Sequence, residues 1–538
     1  EDNRLQKFRL SADFISRMMA PSILDQLDKG DSKTGGIVLH DGQQYISFVD
    51  SRQAAAKATL KQNLEQERMW FNSTIYHELC RRKANGLTKE AAMAQILAAV
   101  QADPMSMMKY TPMMANLQSP DPKVVQKQLD EMSCKYMTWS EIAELLKKDP
   151  YCPVFASVFV KRSGDSDEVE DGLPSDEIID KYIQSIMVMY LAHRPASAAS
   201  PETLGLFETC YPQLDKIKLP KAVEDFNDLL DNPANQITEE DWRNLMQVYL
   251  DYTVRSNQSF YLRIPGNDKI DIFSTVRFAT EKPRRRPFNK PKLEEGKVST
   301  ARIVRYLCAL IARDDNTLTM NDAQRQYFHE ISAVIDSLWE TLTGDEYKIL
   351  QVGQRLDDTG HFVNEKDNAP RFNLNDLCFK LYDDVYLCDT KADGNRHAVC
   401  LRPIGNNFKR FSPYLEGTTP VELREDLHEQ WETFPYYKGS AKEGDKKTIE
   451  SWAKTHRALL WNNNIWGTDG VFSDRLEDIH VFPNLFVQQE HTAQVDKSVA
   501  RGLQTKFKDH TINILACSTT MEMGVDLGNL EVVLLSSV

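Results

Sequence analysis

The chain has 538 residues, 41% of them hydrophobic and 27% charged, with 79 acidic against 65 basic side chains and a formal net charge of −14. That length predicts about three to four domain-sized units, and the apolar fraction is enough for real cores. The acidic balance excludes a binder held to nucleic acid mainly by overall charge. No apolar run approaches the roughly 18 to 20 residues of a membrane span, and no charged-then-apolar signal peptide opens the sequence.

In chain order, Tyr45-Ile46-Ser47-Phe48-Val49 reads as a buried strand ending in a polar turn, Asp50-Ser51-Arg52-Gln53. Ala54, Ala55, Ala56, Ala58 and Leu60 then predict a helix of strong formers, with Asp50 and Ser51 placed to cap it. Arg52 and Gln53 fall at the helix start, where free backbone N–H groups hold phosphates. Residues 61–100 keep helical spacing around Met69, Trp70, Ile75 and Leu79, and again from Ala91 to Val100. Met105, Met107, Met108, Met113 and Met114 read as flexible core filler or as a binding surface. Thr138-Trp139-Ser140-Glu141 is a capping box opening a helix over Ile142 to Lys147. Such a helix fits a winged-helix unit or any bundle. Asp165 to Asp171 is an acidic, solvated loop.

Further helices are predicted over 176–193, 239–256, Ile303–Ala312 and 322–344. Strand-like stretches lie at 259–264, 270–279 and 374–402. The most basic stretch is Lys282-Pro283-Arg284-Arg285-Arg286-Pro287-Phe288-Asn289-Lys290-Pro291-Lys292. Its three prolines forbid a regular helix. Two readings stand: a loop that tracks a phosphate backbone through Arg284, Arg285 and Arg286 while Phe288 stacks on a base, and a solvated linker. Lys442 to Lys447 is a second polar linker.

The nine cysteines are scattered without a C-x-x-C pair, which reads as reduced thiols in a cytosolic protein. Cys378, Cys388, Cys400 and His397 lack the paired spacing of a zinc site and read as small buried hydrophobes.

Near the end, Gln489-Glu490-His491-Thr492-Ala493-Gln494 precedes an amphipathic helix over Val495 to Phe507. The last segment, ILACSTTMEMGVDLGNLEVVLLSSV from Ile514 to Val538, reads as strand, polar turn, short helix, strand. In a parallel α/β sheet, ligands bind at the carboxyl ends of strands, where Ser518, Thr519 and Thr520 would sit. Gly524 permits close approach of a ligand, and Asp526 offers an acceptor for a sugar hydroxyl or an arginine.

The order of these groups resembles motif V of superfamily 2 helicases, in the second of their two RecA-like lobes. The segment Tyr45 to Gln53 is similar to motif IV of that lobe, and Glu490-His491-Thr492-Ala493-Gln494 resembles the segment before motif V in large bacterial helicases. The resemblance implies nucleic-acid contact by Arg52, Gln53, His491, Thr492, Ser518 and Thr519. It implies nucleotide-side contact by Gly524 and Asp526. Gln53 and Glu490 are separated by more than four hundred residues, a length that loop-closure entropy tolerates. The expected fold is therefore an α/β RecA-like lobe with a parallel sheet, interrupted by a large, mainly α-helical (α+β) insertion. Residues 1–62 and 481–538 form the lobe. Residues 63–480 form the insertion, with room for a winged-helix-like unit and a small β-containing unit near 370–415.

The arrangement resembles the large helicases of bacterial phage-defence systems, Druantia-like or DISARM-like. Glu202-Thr203-Leu204-Gly205-Leu206 with Tyr211-Pro212-Gln213-Leu214, and Val385-Tyr386-Leu387-Cys388 with Phe408 to Tyr414, agree with that subgroup. No G-x-x-x-x-G-K-[ST] and no D-E-x-H run occurs, and Q-x-x-Q-R-x-G-R does not follow motif V. The expectation is thus a fragment of an ATP-dependent DNA helicase or translocase, inactive alone and without catalytic residues of its own. ATP and Mg²⁺ would be held mainly by the lobe that precedes it. The implied partners are DNA, single-stranded or duplex with an overhang, and other defence-system subunits, with no membrane. The competing expectation is a helicase-like scaffold that binds DNA or a partner without hydrolysis.

Overall fold

A computed structural model describes residues 19–49, 52–85, 89–102, 107–132, 136–163, 174–192, 201–202, 206–257, 260–261, 288–352, 370–382, 385–388, 403–405, 418–421, 484–492, 495, 497–518 and 532–535. The chain divides into two compact units. The first gathers residues 1–74, 148–175 and 477–538; the second holds 75–147 and 176–476.

The first unit is built on a four-stranded parallel sheet. Its strands are β1 (Tyr45–Val49), β2 (Gln488–His491), β3 (Ile514–Ser518) and β4 (Val533–Leu535), in the spatial order β2-β3-β1-β4. β1 lies beside β3 with Tyr45 opposite Ile514 and Val49 opposite Ser518. Both central strands are apolar runs, as a sheet covered on both faces requires. Alternation sorts their side chains. Ile46, Leu515 and Cys517 face one side, where they pack with Leu503 and Phe507 of helix α3 (Lys497–Lys508). Tyr45 and Ile514 face the other side, against Ala20, Leu24 and Phe486.

Buried side-chain amides fix this sheet. Asn513, 0% exposed, accepts from the N–H of Val487 and donates to the carbonyls of Leu39 and Gln43 at 2.9 and 3.0 Å. It thereby ties together the segments entering β1, β2 and β3. Helix α1 (Arg52–Asn85) runs from the end of β1 and closes the open edge of β2. Its Asn63 donates to the Gln488 carbonyl and accepts from the Gln488 N–H, at 2.8 and 3.0 Å. Gln66, one turn on, accepts from the Phe486 N–H. An edge strand is a template for unwanted pairing, and covering it with a helix removes the hazard. Further along α1, Trp70 stacks on Phe155 of helix α2 (Cys152–Ser163) with ring centroids 5.2 Å apart.

Below the sheet, Asp509 gathers the loop ahead of β1. Its carboxylate accepts from the Ser32 hydroxyl at 2.7 Å, from the N–H groups of Lys33 and Thr34 at 2.7 and 3.1 Å, and from the Thr34 hydroxyl. These bonds hold the carboxyl well below the usual range, at about 2. The loop then turns through His40, Asp41 and Gly42, all with positive φ.

The second unit is helical with three small sheets. The capping box at Thr138 forms as predicted: Glu141 accepts from the Thr138 N–H at 2.8 Å, and the Glu141 N–H donates to the Thr138 hydroxyl. The helix it opens spans Trp139–Lys148. The helix expected over 322–344 is two, Met320–Gln326 and Phe328–Thr343, broken at Tyr327 (φ −111°, ψ 35°). The first has a capping box of its own, between Thr319 and Asp322. The helix expected over 176–193 ends as an α-helix at Met187 and continues as a π-turn over Val188–Ala192. Met113 and Met114 pack partly buried around Ala92, Ile96 and Leu117.

The β-rich region expected as one small unit near 370–415 contributes instead to three separate sheets. Pro370–Asn373 is the middle strand between Phe260–Tyr261 and Leu350–Val352. Cys378–Leu381 is the middle strand between Tyr136–Thr138 and Phe207–Cys210. Val385–Cys388 pairs with Pro403–Gly405 and Thr418–Val421. The first two of these sheets are completed by segments distant in sequence, the third by neighbouring ones. Among the described residues, no helix is long and apolar enough to cross a membrane.

Candidate nucleic-acid and nucleotide site

The strand order itself selects a place for a ligand. From β1 the chain travels to β2, two positions to one side; from β3 it passes β1 to reach β4 on the other. Adjacent strands β1 and β3 thus send their connections in opposite directions. In open parallel sheets, the crevice beyond the carboxyl ends of such a strand pair is where ligands bind. Val49 and Ser518 are the last residues of these two strands, and they are register partners.

The residues singled out from sequence distribute around this point. Ser518 ends β3 and is 2% exposed. Its neighbour Cys517 faces the α3 side, and burial pushes that thiol up to about 12, so it stays protonated and unreactive. Arg52 and Gln53 are the first two residues of α1, just past the end of β1, and Gln53 is exposed. The first N–H groups of a helix have no partner within it, and together with the helix dipole they suit an anion. Asp50, Ser51, Thr519, Gly524 and Asp526 lie outside the described residues.

His491 and Thr492 sit at the carboxyl end of β2, with His491 opposite Cys517. Both are buried. The Gln504 side-chain amide donates to His491 Nε2 at 2.9 Å, and burial lowers the imidazole pKa, which favours the neutral ring. The Thr492 hydroxyl donates to Glu490 at 2.8 Å, while its carbonyl receives the Val495 N–H as the chain turns towards α3. These two side chains shape the rim of the crevice from within. Gln504 was not singled out in the sequence. Its only signal is a helical position beside the buried Leu503 and Phe507.

The basic loop requires a correction. Phe288, expected to stack on a base, is 2% exposed in the second unit. Its ring packs against Tyr249 at 6.3 Å and its N–H donates to the Pro370 carbonyl. A core ring has no face to offer a base. Lys290 pairs with Asp336. Arg284, Arg285 and Arg286 lie outside the described residues. Cys378 is buried opposite Cys210, in a different sheet from Cys388, while Cys400 and His397 lie outside the described residues. Among the described residues, no group of three or more His, Cys, Asp and Glu is placed to hold a metal ion. No family model, curated protein or solved structure matches the chain.

Proposed function

We propose that this chain carries part of the second RecA-like lobe of an ATP-dependent superfamily 2 DNA helicase or translocase, with a large insertion between the two halves of the lobe. One observation carries the reading. The strands bearing the motif IV-like and motif V-like segments are more than four hundred residues apart in sequence, yet they are adjacent and parallel, with their motif ends in register. An accidental motif has no reason to meet its partner at a switch point. Thr519, Arg52 and Gln53 would contact the nucleic-acid strand, with the buried Ser518, His491 and Thr492 shaping the rim from within. Gly524 and Asp526 would face the nucleotide. ATP and Mg²⁺ would be held mainly by groups this sequence lacks, the P-loop and the D-E-x-H acid. The described cysteines are free thiols, in keeping with a cytoplasmic enzyme. Antiphage defence is the setting that the helicase resemblance suggests.

The test is single-stranded-DNA-stimulated ATP hydrolysis by the complete protein. Asp526→Ala should remove most of the stimulation while leaving the thermal unfolding curve unchanged. Wild-type turnover in that variant would end the nucleotide-side assignment. DNA binding without any hydrolysis in the wild type would favour the scaffold reading.

A further inference from the structure

Acidic residues outnumber basic ones along the chain, but α3 inverts this. Its twelve residues, KSVARGLQTKFK, contain four bases and no carboxylate. Leu503 and Phe507 bury one side against the sheet. The opposite side is exposed and presents Arg501, Gly502, Thr505, Lys506 and Lys508. Among the described residues, neither Arg501 nor Lys506 forms an ion pair. Lysines in the last turn complement the helix dipole, which accounts for Lys506 and Lys508. It does not account for Arg501 in the second turn. A Cβ at Gly502 would meet no atom within 4 Å, so the surface between the cations is open.

We propose that this solvent-facing side of α3 is a docking surface for the phosphate backbone of a nucleic-acid strand. The proposal rests on the helicase reading and extends it to a second contact, on the helix that leads from β2 into β3. The charge is complementary to phosphate. From Arg501 to Lys508 the helix rises about 10 Å, the axial length of roughly three stacked nucleotides. Cations spaced along that length hold phosphates without reading sequence; Gly502 puts no side chain between them, and the Thr505 hydroxyl is already given to the Arg501 carbonyl.

The experiment measures binding of a fluorescently labelled single-stranded oligonucleotide to the full chain between 50 and 200 mM salt. Charge reversal (R501E/K506E/K508E) and neutral replacement (R501Q/K506Q/K508Q) are compared with a control reversal of three exposed lysines of the second unit (K123E/K216E/K218E). The expected result is at least a tenfold loss of affinity in the α3 reversal. The slope of log affinity against log salt should fall by about 2 in both α3 variants, since each lost contact on a single strand removes about 0.7. The control should bind as wild type does. Affinity within twofold of wild type in both α3 variants, or an equal loss in the control, would overturn the surface while leaving the helicase reading intact. A wild-type chain that binds no oligonucleotide at 50 mM salt would overturn both. Tighter binding to polyglutamate than to the oligonucleotide would overturn the nucleic-acid assignment of the surface.

Discussion

Asn63 hydrogen-bonds both backbone groups of Gln488, so a side-chain amide occupies the place that another strand would take at the edge of the sheet. Both residues are buried, so removing the amide leaves a backbone N–H and a C=O without partners in a dry site. Asn63→Leu should therefore cost roughly 2–4 kcal/mol, the desolvation of two unsatisfied groups. Asn63→Asp should be nearly as damaging, because a carboxylate satisfies the N–H but repels the carbonyl. Denaturant unfolding monitored by circular dichroism measures both. Wild-type stability in the leucine variant would mean that the edge is closed by other groups.

Asp509 predicts a response to acid. Its carboxyl titrates at about 2 in the folded chain because the Thr34 and Ser32 hydroxyls and two backbone N–H groups favour the ionised form. A folded value below the unfolded one, near 4, means the contribution is fully present above about pH 4 and is lost as pH falls towards 2. Asp509→Asn should lower stability at pH 7 and flatten the dependence between pH 4 and 2. Unfolding midpoints of both chains across that range decide it.

Two glycines with positive φ should behave differently. A Cβ on Gly42 (φ 71°) would lie 2.0 Å from the carbonyl oxygen of Gly30, a backbone atom with no room to move. On Gly35 (φ 79°) it would meet nothing within 4 Å. Gly35→Ala should cost only the left-handed penalty, about 1–2 kcal/mol. Gly42→Ala adds a steric overlap and should cost several kcal/mol or prevent folding. Equal thermal midpoints for the two variants would contradict this.

Cys210 and Cys378 are register partners in an antiparallel pair. Residues directly opposite in such a pair have Cα atoms about 4.5–5.5 Å apart, within the span a disulfide bridges. Neither is in a disulfide, and burial raises the Cys210 thiol well above its ordinary value, which makes it slow to react. Prolonged treatment with a disulfide oxidant such as diamide should link these two and spare the buried Cys152 and Cys517. Peptide mapping under non-reducing conditions identifies the bond. Cys210→Ser should abolish it.

Much of the first unit was legible. β1 and β3 are apolar runs bounded by polar turns, and α1 begins in a stretch of alanine, so local pattern and final structure agree. The capping box at Thr138 was legible for the same reason: the donor and acceptor are three residues apart. Tyr327 was not. Its helical stripe runs on through the break, and a single residue leaving helical φ/ψ does not alter the spacing of Ile331 and Ile335 around it. Phe288 misled because its neighbours are bases and prolines, while the side chain that buries it, Tyr249, lies far back in the sequence. The Asp509 clamp and the Asn63 closure join residues 475 and 425 positions apart, and no local pattern announces such pairs. The end of β3 at Ser518 was legible as the place where its apolar run stops. The internal engagement of His491 by Gln504 was not, because either a buried or an exposed imidazole fits the same letters.

The parallel sheet joins a strand at 45–49 to strands beginning at 488 and 514. On a ribosome adding about 5–20 residues per second, β1 is finished roughly 20–90 s before β2 is complete. During that interval Tyr45, Ile46 and Phe48 have no sheet to enter, while the second unit is translated to its end. The second unit is therefore complete first, and the parallel sheet of the first unit is closed last, by the arrival of the distal strands. Overexpression should find its weak point there: in the nascent polypeptide, an early apolar strand waits for partners still to be translated and is the segment that holdase chaperones would need to shield.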